Sequence, residues 1–157
     1  MQAVLEKRIS RSMATTGRNK LNALYTRFEP GAPLMSEDLA ALGISADLAV
    51  HYVRAGWLTR LARGVYCRPN DTLALGPCLV LLERRFEGLH VGGKTALDWY
   101  GVRQYVARQP VLRLYGWRSG QLPAWFTDRF PAEYYRKRLF DEQPGALRNV
   151  NPFEGEA

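Results

Sequence analysis

The first helix predicted from the sequence has an apolar stripe at the spacing i, i+3, i+4 and i+7. The residues of this stripe are Leu21, Leu24, Tyr25 and Phe28. Asn19 is the predicted start of the helix, and the prolines and glycine of residues 30–33 end it. Residues 1–17 show no sustained period, so they are predicted to be a flexible arm or a loosely docked helix.

A second helix is predicted to begin at Ser36, whose hydroxyl is a suitable cap. Gly43 follows its last turn, where a residue in the left-handed conformation is expected. Ile44 alone separates this glycine from Ser45, the cap of a third helix. Because the connection is so short, the two helices must cross at a steep angle, as they do in a helix-turn-helix.

The third helix, residues 46–55, has two distinct faces. Its inner face is predicted to contain Leu48, Ala49, Tyr52 and Val53. Its outer face is predicted to contain Asp47, Val50, His51 and Arg54. Gly56 ends this helix, and two short strands follow at residues 57–61 and 65–68. Three arginines, at positions 60, 63 and 68, make this ribbon basic.

The predicted fold class is therefore α+β, with an N-terminal winged helix-turn-helix at residues 18–70 and a small mixed α/β domain at residues 71–141. The domain boundary is placed at residues 69–74, and residues 142–157 are predicted to be an irregular tail. The second domain is predicted to contain helices at 77–86, 94–100 and after Pro123, and strands at 89–91, 111–115 and 134–140. The last of these strands carries charges that suit an exposed edge.

The charge of the chain favours a polyanionic partner. Its 157 residues have a formal net charge of +7 and a pI of about 9.7. Residues 1–70 hold 10 Lys or Arg and 5 Asp or Glu, a net of +5, whereas residues 71–157 hold 12 and 10, a net of +2. The excess charge falls mainly on the part with the helix-turn-helix pattern.

The composition also indicates where the protein works. No apolar run approaches the roughly 20 residues that cross a bilayer. The first residues do not resemble a signal peptide. Cys67 and Cys78 match no metal spacing, and two cysteines in a chain of this length favour reduced thiols in a cytoplasmic protein over a disulfide.

The outer face of the third helix supplies the candidates for reading DNA bases. Arg54 has the donors to recognise a guanine, and His51 can donate or accept. Asp47 can accept a hydrogen bond from a cytosine amine. Alternatively, it can repel a phosphate and so restrict the angle at which the third helix docks on the DNA. Ser45 lies at the helix N-terminus, where backbone N–H groups bind phosphate.

The ribbon supplies the candidates for contacting the DNA backbone. Arg60 and Arg63 are predicted to neutralise phosphates or to enter a minor groove. Arg63 is a stronger candidate than His51, for which a solvated surface histidine is the alternative, because a side chain at a hairpin tip has no core to pack into. Tyr52 and Trp57 are predicted to be core residues rather than platforms for base stacking.

Residues 88–95, GLHVGGKT, fit the G-x-x-x-x-G-K-[ST] pattern of phosphate-binding loops. That mechanism needs an apolar strand that ends at the first glycine, but residues 83–87 resemble the end of a helix and the apolar strand lies inside the motif. We therefore interpret the motif as a strand, a Gly-Gly turn and a helix start. No nucleophile elbow, zinc-binding cluster or acid/base pair is evident, so no cofactor and no enzymatic activity are predicted.

Three segments together resemble the AbiEi-type antitoxins of type IV toxin–antitoxin systems. These segments are GISADLAVHYVRAGWLTRLARGVY, LHVGGKTALDWYG and LPAWF, and the similarity covers most of residues 18–140. The first is shared with other winged-helix regulators, whereas its combination with HVGGKTAL is more specific. Members of the family often continue past the point where this chain stops, which leaves either an incomplete second domain or a naturally short protein.

The resemblance implies an autorepressor that binds inverted repeats in its own promoter, as a dimer or as paired monomers. It also implies that the second domain counteracts a nucleotidyltransferase toxin, with or without a stable complex. The alternative is a protein-interaction module, in which the aromatic second domain binds a toxin or another partner and the winged helix is only a scaffold.

Overall fold

The computed structural model describes residues 17–92, 96 and 111–137. These residues form two compact units, divided between Thr72 and Leu73. Both units combine helices with a three-stranded sheet, which confirms the predicted α+β class. The described part of the chain contains no helix with the length and apolar character that a membrane crossing requires.

Some predictions concern parts of the chain outside the described residues. They are the arm as far as residue 16, the helix of residues 94–100 apart from helical Ala96, the end of the strand after residue 137, and the tail of residues 142–157.

The first unit contains three helices and a small antiparallel sheet. Its described elements are α1 (residues 17–27), β1 (Leu34–Met35), α2 (Ser36–Ala41), α3 (Ala46–Arg54), β2 (Thr59–Ala62) and β3 (Val65–Cys67). The strand order is β1-β3-β2, so β3 is the central strand and β2–β3 is a hairpin. Strand β1 was not predicted, because two residues are too few to show a period of two.

The core of the first unit joins all three helices to the sheet. Its buried residues are Leu24, Leu34, Leu39, Ile44, Ala49, Tyr52, Leu58 and Tyr66. The predicted stripe of α1 is confirmed, since Leu24 is buried and Leu21, Tyr25 and Phe28 pack against this core. The predicted start at Asn19 is wrong, because the chain is already helical at Gly17.

Helix α2 begins differently from the prediction. Met35, rather than Ser36, is the residue before the helix, and its backbone N–H donates to Oδ2 of Asp38 at 2.8 Å. Asp38 thus satisfies the N–H of the residue before the helix, whereas a Ser36 hydroxyl would have accepted from an N–H of the first turn. The end of the helix is as predicted, with Gly43 at a φ of 71°. The N–H groups of Gly43 and Ile44 donate to the carbonyls of Ala40 and Leu39, the pattern of a Schellman motif.

The second unit contains a mixed sheet of three strands. Its described elements are α4 (Leu75–Glu83), β4 (His90–Val91), β5 (Leu112–Gly116), α5 (Ala124–Thr127) and β6 (Ala132–Arg136). Strand β5 lies in the middle, antiparallel to β4 and parallel to β6. The connection from β5 to β6 contains α5, as a parallel pair requires a crossover. The predicted elements at 77–86, 89–91, 111–115 and after Pro123 are each present with shifted bounds.

Helix α4 is apolar on most of its circumference, which is typical of a buried helix. Its buried residues are Cys78, Leu79, Leu81 and Leu82. Leu114 of the central strand and Phe126 of α5 are completely buried in the same unit. Cys67 and Cys78 are both buried, and neither takes part in a disulfide. This agrees with the prediction of reduced thiols.

Candidate nucleic-acid interface

Helix α3 is positioned by a cap at its N-terminus and by the packing of one face against the core. Ser45 is the residue before the helix, and its hydroxyl accepts from the backbone N–H of Leu48 at 3.3 Å, so the predicted cap is confirmed. Ala49 and Tyr52 are buried, while Leu48 and Val53 pack against the core at its margin. The inner face of the helix is therefore the predicted one.

The opposite side of α3, which we call the α3 ridge, is open to solvent. Its exposed residues are Asp47, Val50, His51 and Arg54. Ser45 is exposed as well, at the N-terminal end of the ridge. The helical period that buries Ala49 and Tyr52 is what exposes these side chains, because the two sets occupy opposite faces. The sequence predicted the membership of both faces.

Trp57 lies at the end of α3 and is not the core residue that was predicted. Its side chain is 43% exposed. Its N–H donates to the carbonyl of Tyr52 at 2.8 Å, and Gly56, at a φ of 76°, donates to Val53, which completes a second Schellman motif. The indole ring packs against Tyr52 at 5.5 Å between centroids and edge-on to His51 at 6.3 Å. The sequence contained a signal for this position, since the second residue after such a helix end commonly contacts the last turn.

The β2–β3 hairpin presents two of the predicted arginines. Arg60 and Arg63 are exposed, and Arg63 and Gly64 connect the strands. The register shifts between Arg60 and Ala62, and Nε of Arg60 donates to the carbonyl of Ala62 at 3.3 Å. Gly64 takes a φ of 74°, and its carbonyl accepts from the N–H of Ser36 at 3.0 Å. The tip that carries Arg63 is therefore fixed to the start of α2.

Arg68 does not belong to the basic surface of the hairpin, contrary to the prediction. Its guanidinium donates to the carbonyls of Tyr25 and Phe28 at the C-terminal end of α1, and it lies 5.0 Å from the centroid of the Tyr25 ring. A cation at this end of a helix satisfies carbonyls that have no partner within the helix. Arg68 is therefore a structural residue that closes α1 against β3.

The charges of the candidate interface are predominantly positive. Arg54, Arg60 and Arg63 are exposed cations, and Asp47 is an exposed anion. Lys20, which is not among the predicted contact residues, donates from Nζ to the carbonyl of Gly43 at 2.6 Å and so places a further cation at the turn between α2 and α3. This arrangement suits a polyanion, because cations can contact phosphates while the ridge offers donors, acceptors and an apolar group.

Several side chains of the first unit have a pKa that is raised by burial. Desolvation raises the pKa of Tyr52, and it is also the largest cause of the raised pKa of Tyr25, which Arg68 partly offsets. Burial, and next the carboxylate of Asp71, raise the pKa of the Cys67 thiol. The hydroxyl of Tyr52 donates to the carbonyl of Gly17, and that of Tyr25 to the carbonyl of Trp57, both at 2.8 Å. These two hydrogen bonds join α1 to α3 and to the residue that follows the turn after α3.

The motif of residues 88–95 begins as a turn and a strand. Gly88 has a φ of 69°, and a Cβ at this position would lie 2.5 Å from the Trp117 indole. His90 and Val91 pair with Tyr115 and Leu114, so the strand predicted inside the motif is confirmed. In a phosphate-binding loop the backbone N–H groups of this segment would face the phosphates, whereas here His90 and Val91 belong to a strand that pairs with β5. Residues 93–95 lie outside the described part of the chain, and in the described part no group of His, Cys, Asp or Glu is arranged to hold a metal ion.

Comparison with known proteins identifies a family and a solved structure with a related fold. The family model described as "Transcriptional regulator, AbiEi antitoxin N-terminal domain" matches residues 17–108. No curated protein matches the chain. The crystal structure of the RV2827C protein from Mycobacterium tuberculosis is similar, with 18% sequence identity and a TM-score of 0.50. The similarity covers 79% of this chain and 46% of that one, so the chain spans about half the length of that protein. At this identity the likeness concerns the fold.

Proposed function

Because the chain belongs to the family of the AbiEi antitoxin N-terminal transcriptional regulator domain, we propose that its first unit is a winged helix-turn-helix that binds double-stranded DNA. In this proposal α2 and α3 form the helix-turn-helix and α3 is the recognition helix. The β2–β3 hairpin is the wing. The order of the elements and the β1-β3-β2 sheet support this assignment.

The α3 ridge is the observation that carries the proposal. One face of α3 is packed into the core, while the opposite face leaves polar and charged side chains exposed. Any exposed helix face is polar, but this one combines an acceptor, Asp47, with His51 and Arg54 within about two turns. A hairpin with two exposed arginines follows it directly. In our proposal Arg54, His51 and Asp47 contact base edges.

The remaining candidate residues contact the DNA backbone in this proposal. Ser45 and the N-terminus of α3 bind one phosphate, and Arg60 and Arg63 bind others across the hairpin. These contacts orient the domain on the duplex and supply most of its affinity, but they do not select a sequence. No cofactor is needed for any of these contacts.

We propose further that the DNA is the upstream region of the protein's own gene and that binding represses its operon. Regulators of this class usually bind inverted repeats, so two copies would occupy one operator, either as a dimer or as paired monomers. Fluorescence anisotropy of the full chain with that upstream duplex and with a shuffled duplex of equal length tests the proposal. We expect tighter binding to the upstream duplex by at least about tenfold, the order of a single good base contact. Equal affinity for both duplexes would contradict sequence-specific repression.

The second unit is proposed to carry the antitoxin activity, which would act against a nucleotidyltransferase toxin in a type IV system. In such a system the antitoxin counteracts the effect of the toxin and needs no stable complex with it. A nucleotidyltransferase reading frame beside this gene, whose toxicity is relieved by co-expression of this chain, would support the proposal. Unrelieved toxicity would contradict it.

A direct complex with a toxin is the second candidate function. It is favoured by apolar side chains that the second unit leaves exposed, which are Val80 at 55%, Val111 at 42% and Tyr135 at 42%. Calorimetric titration of the neighbouring nucleotidyltransferase into this chain separates the two modes of action. Binding that the Tyr135→Ala substitution weakens would favour the complex, whereas relief of toxicity without measurable binding would favour the type IV mode.

A further inference from the structure

Two large apolar side chains remain exposed among the described residues of the first unit, and both lie at the α3 ridge. Val50 is 41% exposed and Trp57 is 43% exposed. Trp57 has a structural reason for its position, because its ring packs against Tyr52 and His51 while its backbone closes the helix. Val50 lies on the free face of α3, away from the buried Ala49 and Tyr52. Its side chain is therefore available for contact with a partner.

The neighbours of Val50 on the ridge are polar. Asp47 lies one turn before it and Arg54 one turn after it, and His51 is the next residue along the chain. A β-branched residue is also a poor choice for helix formation at an exposed position, because its χ1 freedom is restricted. Neither core packing nor helix propensity accounts for a valine here, whereas an apolar contact with a partner does.

The dimensions of the ridge match a short run of base pairs. Arg54 lies seven positions after Asp47, which is a distance of about 10.5 Å along the helix axis at a rise of about 1.5 Å per residue. At about 3.4 Å per base step this length corresponds to roughly three base pairs. Val50 falls near the middle of this span. In the major groove, the C5-methyl group of thymine is the feature that an apolar side chain recognises.

We propose that Val50 is a specificity-determining residue that recognises the methyl group of a thymine in the operator half-site. This inference rests on the proposed DNA-binding function. It places one apolar contact between an acceptor, Asp47, and a donor, Arg54. DNA is a better match for this ridge than a protein partner, because Arg54 on the ridge and Arg60 and Arg63 on the hairpin that follows are exposed cations, whereas the ridge itself has one exposed carboxylate, Asp47.

The test uses the full chain and the upstream duplex that it binds. Each thymine in turn is replaced by deoxyuridine, which removes the methyl group and retains the base-pairing edge. We expect one position in each half-site at which the wild-type protein loses about fourfold in affinity, the effect of burying one methyl group. The Val50→Ala protein should bind the unmodified duplex about as weakly as the wild type binds the duplex with deoxyuridine at that position. Deoxyuridine there should not weaken the binding of Val50→Ala further.

Val80→Ala is the matched control. This valine is also exposed on a helix, at 55%, but it belongs to the second unit. The control protein should bind like the wild type and keep its full sensitivity to deoxyuridine. Thermal unfolding of both variants verifies that they fold, which we expect since each site is exposed and alanine favours helix.

The outcomes separate this inference from the function on which it rests. If no deoxyuridine changes the affinity of the wild type, DNA binding stands and the role of Val50 is refuted. If Val50→Ala weakens binding while its sensitivity to deoxyuridine stays at the wild-type value, Val50 contacts something other than that methyl group, and the inference is also refuted. If the wild type binds the upstream duplex and a shuffled duplex with equal affinity, the proposed function itself is refuted.

Discussion

The backbone N–H of Ser36 donates a hydrogen bond of 3.0 Å to the carbonyl oxygen of Gly64. This bond joins the first residue of α2 to the turn of the β2–β3 hairpin. The first N–H groups of a helix have no partner within it, so the turn supplies an acceptor that the start of α2 requires. The position of Arg63, which precedes Gly64, is therefore coupled to the packing of α2.

Replacement of Gly64 by alanine is expected to disturb this junction. Gly64 has a φ of 74°, a conformation that L-residues rarely adopt, and an added Cβ would lie 3.2 Å from Oγ of Ser36. We expect Gly64→Ala to reduce the free energy of unfolding by about 1–2 kcal/mol, the cost of the left-handed conformation for a residue with a side chain. Urea unfolding followed by circular dichroism measures this change.

Gly17→Ala is the control for the Gly64 substitution. Gly17 lies in α1, and a Cβ there would meet the Tyr52 hydroxyl at 3.6 Å, which is an ordinary contact. Alanine in a helix is more favourable than glycine by up to about 1 kcal/mol, so this variant should be as stable as the wild type or more stable. Equal destabilisation by both substitutions would mean that backbone conformation at the hairpin is not the cause.

Arg63→Ala is expected to weaken binding to every DNA sequence by a similar factor. The side chain lies exposed at the hairpin tip, where a phosphate contact is proposed. Loss of one such contact should reduce the slope of log affinity against log salt by about 0.9. Anisotropy titrations at several salt concentrations, with the upstream duplex and a shuffled one, give both quantities.

Arg129→Ala tests whether net charge alone explains such a result. Arg129 is an exposed arginine of the second unit, so the substitution lowers the formal charge by the same amount as Arg63→Ala. We expect its salt slope to remain that of the wild type. An unchanged slope for Arg63→Ala, or an equal decrease in both variants, would remove Arg63 from the interface.

Arg68→Ala should have the opposite signature to Arg63→Ala. Arg68 donates to the carbonyls of Tyr25 and Phe28, so its loss leaves the end of α1 without a partner. A hydrogen bond to a charged group contributes about 1.5–3 kcal/mol, and since Arg68 makes two of them we expect destabilisation of at least about 2 kcal/mol. The folded variant should keep the wild-type salt slope. Arg68→Lys should recover only part of the stability, because an ammonium group lacks the planar fork of a guanidinium.

The contrast between Arg63 and Arg68 illustrates what the sequence could and could not predict. Helical periodicity predicted both faces of α3 and the stripe of α1, because burial on one side of a helix imposes that period directly. The glycines themselves predicted the helix ends at Gly43 and Gly56, since few residues other than glycine tolerate a left-handed backbone. The direction of a long side chain is not encoded in this way. Arg68 turns towards α1 because of carbonyls that lie 40 or more residues away in the chain.

Three other features were predicted wrongly or could not be predicted, because they depend on contacts that the local sequence pattern does not specify. Ser36 was a reasonable cap, but the capping position belongs to Met35, whose N–H donates to the carboxylate of Asp38, and Ser36 is the first residue of the helix. Trp57 was assigned to the core by its size, yet the turn at Gly56 leaves its ring only half covered. The parallel pairing of β5 with β6 could not be predicted, because nothing in a short strand specifies the direction of its neighbour.

The stability of the first unit is expected to decrease in alkaline solution, in part because of Cys67. Burial raises the pKa of this thiol above its usual value of 9.0, with a contribution from Asp71. Above about pH 9 the unfolded chain therefore releases this proton while the folded protein retains it, so the folded state binds more protons and becomes less stable as the pH rises. Tyr52 and Tyr25 have the same effect from about pH 10, because burial raises the pKa of each.

Urea unfolding of the wild type and of Cys67→Ala at about pH 8 and about pH 10 isolates the thiol. We expect a smaller loss of stability for the variant across this interval, although it is less stable at pH 8 because the buried sulfur has been removed. The tyrosines are present in both proteins, so their contribution cancels in the comparison. Parallel losses in the two proteins would show that the Cys67 thiol titrates alike in the folded and unfolded states, and the environment inferred for it from β3 and Asp71 would be wrong.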